Sequence, residues 1–370
     1  MTLRMWLGLA VTAIGLGFTS HASAFDFLQP LPAQVPVPAD NPLSDAKVAL
    51  GKLLYFDRRL SLTGTVSCNS CHNVMAGGQD DKPVSVGALG KSGRRNAPTV
   101  WNVAFQTVLY WDGRARSLEE MLGTHFKDET VMAMPDGDAV AAHIARIPGY
   151  RKEFAKAYGG DGTPTFDEAV KAIASFIRTL VTPDSDFDRY IRGDKTALSE
   201  QARHGLIRFK EVGCMSCHFG ANFAGPAPGP NLKMGDGFYE LFPNFMGSKY
   251  DAEYKLTDDI GRFAYSHDPG EKRMFRLPTL RNIALTAPYF HNGSVSTLSE
   301  AVRLMERTEL NLPISDQDVA DIVAFLDSLT GHFPQMNMPR LPPTPHETVW
   351  SWQKPVWNGG DKAKGSSDQS

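Results

Sequence analysis

The sequence predicts a mainly α-helical chain built as two domains of one plan. Three observations predict it. The pentad Cys-x-x-Cys-His occurs twice, as Cys68-Asn69-Ser70-Cys71-His72 and Cys214-Met215-Ser216-Cys217-His218, and uses all four cysteines. A segment of helical period leads into each pentad. The 370 residues leave room for two domains of about 150 residues each.

A Cys-x-x-Cys-His run reads as a covalent c-type haem site, in which two thiols form thioethers and the adjacent His becomes the proximal iron ligand. A zinc ribbon or a dithiol redox motif would also use paired cysteines, but neither needs a His directly after both pairs. Helix, pentad and loop recur in each half in the layout of small cytochrome c units. The fold class is therefore two cytochrome c-like domains, each with one haem.

The elements follow in order. Residues 1–24 read as a secretory signal peptide: Arg4 is charged, residues 5–18 are mostly apolar, and Ala22-Ser23-Ala24 is a small-residue cleavage site. That apolar run is too short for a mature membrane span, and no other stretch approaches the length. Export with no cysteine outside the pentads points to a bacterial periplasm. The net charge of −3 gives no reason to expect nucleic acid or an anionic membrane as partner.

Residues 25–182 form the first domain. Pro-rich residues 25–40 are extended, and a helix starts near Ser44, with Asp45 in its first turn and Ala46, Val48, Ala49 and Leu53 in period. Residues 77–93 hold too many glycines for regular structure. Helical patterns return at 117–122, 138–146, 151–158 and 167–179, the last opened by Thr165 and Glu168. Thr182-Pro183-Asp184 breaks the pattern. Residues 183–337 form the second domain, with helices at 199–210, 298–304 and 316–329 around a loop over 219–250. Residues 338–370 are a Pro-rich, then Gly/Ser/Lys-rich tail. Its Trp350, Trp352 and Trp357 either pack back on the body or form a docking arm for a partner.

Specific stretches resemble the bacterial di-haem cytochrome c peroxidase family, which includes the MauG-type oxidases. They are residues 62–72, Arg95-Asn96-Ala97-Pro98-Thr99-Val100, Trp111-Asp112-Gly113-Arg114-Ala115, residues 180–190, and residues 277–293, reading LPTLRNIALTAPYFHNG. Together they cover most of residues 40–335. The resemblance implies that the His72 haem is peroxidatic and the His218 haem accepts electrons. It implies Met305 as the distal ligand of the second haem, with Met274 as rival. It places Trp111 between the haems and a calcium ion between the domains on Asn96, Thr286 and Pro288, whose oxygens suit a hard cation.

Two departures from the family pattern matter. The loop His that caps the peroxidatic iron in many members is Ala88 here, so the first haem is expected to be open. The distal acid, a Glu in a Val-Glu-Met context, is missing from Thr130-Val131-Met132. His125, where the family usually has Pro, and Glu129 are the candidates for its acid–base work, with Asp128 beside them.

The resemblance implies an enzyme that reduces hydrogen peroxide with electrons from a small cytochrome or cupredoxin. Two alternatives stay open: a MauG-type oxidase that uses a high-valent haem pair on a partner protein, and a plain electron-transfer cytochrome. Met rather than Tyr at position 305 weighs against the MauG type. A homodimer is a common family assembly, but no self-complementary surface is legible.

Overall fold

The structure, a computed structural model, describes residues 27–352 apart from 227, 229–231 and 345. The signal peptide, its cleavage site and Trp357 lie outside the described residues. The first half holds α1 Asp45–Phe56, α2 Cys68–Cys71, α3 Leu118–Lys127, α4 Gly137–Ala145, α5 Pro148–Tyr158 and α6 Phe166–Arg178. The second holds α7 Asp186–Ile191, α8 Glu200–Glu211, α9 Lys249–Glu253, α10 Phe263–Ser266, α11 Leu298–Met305 and α12 Asp316–Asp327, with α13 Val349–Trp352 in the tail. Among the described residues one small sheet forms: β1 Tyr239–Leu241 pairs antiparallel with β2 Met274–Arg276, Tyr239 opposite Arg276. It interrupts the 219–250 stretch expected to be loop.

Side-chain caps explain where the helices begin. Ser44, Ser117, Asp136, Thr165, Ser199, Thr297 and Ser315 each accept from a backbone N–H in the first turn. These bonds satisfy donors that a helix start leaves unpaired. Helix α3 runs one turn beyond its expected end at 122, which carries His125 into the fold.

Each half is built on one helix crossing. In the first, α1 lies on α6 so closely that a Cβ at Gly51 would overlap the Ala172 carbonyl. In the second, α8 lies on α12, and a Cβ at Gly205 would overlap the Asp321 carbonyl. Gly51→Ala and Gly205→Ala are each expected to cost roughly 2–3 kcal/mol, because backbone rather than a flexible side chain must give way. Urea unfolding of the holoprotein followed by circular dichroism checks this; an unchanged midpoint would refute the close crossing.

Around the first crossing, Leu50, Leu54, Trp101, Phe126, Ile173 and Phe176 form a core. Around the second, Phe187, Leu206, Phe209, Phe223 and Phe325 form another. Phe242, Phe275, Tyr289 and Leu304 make a third beside it. The chain ends cross over. Leu28 sits in the second core, not with the first half as expected, and Phe27 O accepts from Gly220 N at 2.7 Å. The Pro-rich segment supplies no regular pairing of its own, so its leucine takes the nearest apolar seat. In the tail, Val349 covers Gly64, while Trp352 meets the His143 ring at 5.3 Å and Arg146 at 5.8 Å. Trp352 therefore packs back on the body, whereas Trp350 stays 73% exposed.

The halves meet on a buried polar seam. Asn102 and Asn282, both with positive φ, donate to the Thr182 hydroxyl at 2.8 and 2.9 Å.

Candidate active site

A cavity of about 760 Å³ runs between the halves and reaches both pentads. At one end α2 makes a single turn of Cys68–Cys71, and His72 N–H donates to Cys68 O at 2.9 Å. At the other, Gly213 at φ 102° admits a 3-10 turn over Cys214–Ser216, and His218 N–H donates to Cys214 O at 3.0 Å. His72 Nδ1 lies 3.0 Å from Pro98 O, and His218 Nδ1 lies 3.1 Å from Phe223 O. A carbonyl on Nδ1 fixes the tautomer and leaves Nε2 free to ligate. Burial pushes both imidazoles below their ordinary pKa, into the neutral, ligating form.

The residues fit haem and not the other cysteine chemistries. Burial pushes the thiols of Cys68 and Cys214 up to about 12 and that of Cys217 up to about 11. A dithiol redox couple needs the opposite shift. No group of three or more His, Cys, Asp or Glu gathers as a metal cluster among the described residues, so the two pairs do not make a zinc ribbon. Among the described residues, two buried donor groups in the cavity have no carboxylate within hydrogen-bonding distance. Arg276 donates only to the carbonyls of Tyr110 and Leu277, at 2.8 and 3.0 Å, and burial pulls it down to about 10. His291 Nε2 is buried without a hydrogen-bond partner. Both suit the carboxylates that a haem carries. Neither residue was singled out from sequence; an arginine next to an apolar core position is the signal that was available.

Trp111 lines the same cavity. Its Nε1–H donates to Asn96 O at 2.9 Å, its own carbonyl accepts from Arg276 N at 2.9 Å, and its ring meets that of His291 at 6.3 Å. Next to it Arg95 reaches from the first half to bind Asp259 at 2.6 and 2.8 Å and Asp112 at 2.6 Å. Burial would raise the Asp259 carboxyl, but Arg95 outweighs this and holds it below the usual range. Its contribution is therefore full above about pH 4 and lost as pH falls through the depressed pKa. Asp259→Asn is expected to cost about 1–3 kcal/mol at pH 7 and to flatten the acid limb of the stability profile. Parallel melting-temperature curves against pH for the two proteins would contradict it.

Met305 ends α11 and lines the cavity. Met274 lies in β2 opposite Leu241 and does not line it. The next residue after Met305, Glu306, is 1% exposed, with both carboxylate oxygens unpartnered, and burial pushes it up to about 7. Asn96 Nδ2 donates to Lys82 O at 2.9 Å, which leaves its Oδ1 free, and Asn96 N donates to His291 O at 2.7 Å. Asn96, Thr286 and Pro288 line the same cavity. In the adjoining segment Asp80 has both carboxylate oxygens buried without a hydrogen-bond partner. Asp80 is ion-paired with Lys82 at 3.8 Å, and the oxygens of Asn96, Thr286 and Pro288 are of the hard kind a calcium ion takes.

The distal end of the first pentad corrects one expectation. Glu129 is not in the cavity: its side chain is 69% exposed and ion-paired with Lys91. The chain leaves α3 at Asp128 in extended conformation, which turns Glu129 outward. Asp128 does line the cavity, with Oδ1 accepting from Thr130 N and Oγ1 at 2.8 and 2.7 Å. Ala88 is buried, and the His125 ring lies 6.5 Å from that of His72.

Comparison with known proteins decides the family. The chain is 40% identical over 329 residues to the cytochrome c551 peroxidase of Pseudomonas aeruginosa, covering 89% of this chain and 91% of that one. The chain belongs to the di-haem cytochrome c peroxidase family. The family's own profile, "Di-haem cytochrome c peroxidase", matches residues 45–196. The cytochrome c551 peroxidase of Nitrosomonas europaea is 38% identical, covering 92% of this chain and 96% of its own. The methylamine utilization protein MauG of Methylorubrum extorquens is 33% identical, covering 84% and 86%. Among solved structures, a MauG-like protein associated with microbial copper homeostasis superposes with a TM-score of 0.69 at 28% identity, over 81% of this chain and 95% of that one. As a member of this family the protein is an oxidoreductase with two c-type haems. No helix among the described residues is long and apolar enough to cross a membrane.

Proposed function

We propose that the protein reduces hydrogen peroxide to two molecules of water in a bacterial periplasm, taking two electrons, one at a time, from a small cytochrome or cupredoxin. The observation that carries this is one cavity that reaches both pentads and is lined by Met305, by Trp111 and, near His72, by His125 and Asp128. Relatives named cytochrome c peroxidase support the same reading.

When bound, the two haems supply the electron store and the iron at which the O–O bond is cleaved. The chain's residues do the rest. Cys68, Cys71, Cys214 and Cys217 would anchor the groups, and His72 and His218 would hold them through Nε2. Met305 raises the potential of the entry end. Trp111, bonded to Asn96 and Arg276, couples the two ends. Each turnover also needs two protons. His125 and Asp128 are the titratable groups at the distal end that can deliver them. Asn96 Oδ1 with the carbonyls of Thr286 and Pro288 would hold a calcium ion and tie the loop beside Trp111 across the halves.

The test is steady-state peroxide reduction by the holoprotein with a reduced small cytochrome as donor. Turnover that saturates in both is expected. Absence of turnover, with a long-lived near-infrared band after peroxide, would favour the MauG-type alternative instead. Trp111→Phe is expected to lower turnover at least about tenfold, since one decade corresponds to only about 1.4 kcal/mol of barrier, and to leave the resting spectra unchanged. Equal turnover in the variant would remove Trp111 from the route.

A further inference from the structure

The halves repeat each other beyond the pentads. Pro98-Thr99 and Pro278-Thr279 each lead to an asparagine in the left-handed region, Asn102 at φ 61° and Asn282 at φ 59°. Each asparagine opens a 3-10 turn, Val103–Phe105 and Ile283–Leu285. Each turn runs into a single bridge, Leu109 with Ala115 and Tyr289 with Val295. Each bridge then leads to a hydroxyl-capped helix, α3 from Ser117 and α11 from Thr297. The sequence offset is the same at every step. Carried along the helices, it makes His125 the equivalent of Met305, each the eighth residue of its helix.

The local geometry agrees. The rings of His72 and His125 are 6.5 Å apart, centroid to centroid, with 72° between their planes, and both line the cavity. His125 Nδ1 lies 3.0 Å from Met121 O and 3.0 Å from Tyr110 Oη, so its Nε2 is the nitrogen left over, as in His72. The Tyr110 ring stacks on it at 5.1 Å and 5° and holds its orientation. Two imidazoles ligating one metal from opposite sides, each nitrogen about 2 Å from it and about 1 Å from its ring centre, bring their centroids to roughly 6.3 Å. A peroxide or water hydrogen-bonded between metal and imidazole would add about 2–3 Å. The observed separation is that of two ligands.

We infer that His125 is the sixth ligand of the first haem, the first-half counterpart of Met305, supplied by a helix rather than by the loop at Ala88. The inference rests on the two-haem reading and deepens it: peroxide must displace His125, and the freed imidazole then stands beside the incoming oxidant.

Optical and EPR spectra of the isolated, oxidised holoprotein test it. Both haems are expected to be low-spin, one with the strongly anisotropic signal of two imidazoles whose planes are far from parallel. His125→Ala is expected to turn that haem high-spin, and added imidazole to restore the low-spin signal. A high-spin haem in the wild-type protein, or an unchanged spectrum in His125→Ala, overturns the inference. The wild-type spectrum decides even if the variant does not accumulate. Peroxide assays on the same samples separate the two readings. Turnover with a high-spin first haem removes the inference alone, and a low-spin first haem without turnover on reduction removes the peroxidase reading alone.

Discussion

Met305→His will lower the reduction potential of the second haem by more than about 100 mV, since axial ligands move haem potentials over several hundred millivolts. Met305 is the methionine at the end of the helix whose residues line the cavity, while Met274 is held in the sheet. A thioether favours the reduced iron, and imidazole favours it less. For a one-electron couple about 59 mV is a factor of ten, so acceptance of an electron from the same donor should fall at least about fiftyfold. Both haems would remain low-spin, because histidine still ligates. Spectroelectrochemical titration of wild type and variant reads the shift directly. A potential unchanged within error would mean that Met305 is a packing residue.

The largest expected loss of stability comes from Asp188→Ala. Asp188 and Arg281 are both wholly buried, with Nη2 and Oδ1 2.8 Å apart. Arg281 also donates to Ala221 O at 2.9 Å, Ser185 Oγ at 3.0 Å and Gln29 O at 3.1 Å, and lies over the rings of Phe187 and Phe223. Removing the carboxylate strands a guanidinium in the core, which costs about 3–5 kcal/mol. Replacing both partners by apolar residues, as in Asp188→Leu with Arg281→Met, should recover most of that. Because Phe223 O orients His218, the second haem's spectrum should broaden before the first in the single variant. Urea titration of the holoprotein followed at both haems checks the order and the size. A loss below about 1 kcal/mol would show that the pair contributes little.

Much of this was legible in the residues. The pentads named the cofactor chemistry, and Ser44 and Thr165 marked the starts of α1 and α6 to within a residue, whereas the Ser185-capped α7 went unread. What could not be read depended on direction and on distant pairing. Glu129 and Asp128 are neighbours in sequence, yet one backbone turn at the end of α3 sends one outward and the other to the cavity. Arg276, His291 and the Arg95–Asp259 pair gain their meaning only when the halves close on each other. The equivalence of His125 and Met305 was hidden because imidazole and thioether share no obvious chemistry. The matching Pro-Thr, Asn and Gly positions around them were the signal, available to a comparison of the chain with itself.

The crossing of the chain ends has a consequence for how the molecule is made. Leu28, near the start, completes the later core, and Val349, near the finish, covers Gly64 in the earlier one. Synthesis runs from one terminus to the other, so the first-made half stays unsealed until the last helix has emerged. The later core finds Leu28 already made, so only the earlier one waits for residue 349.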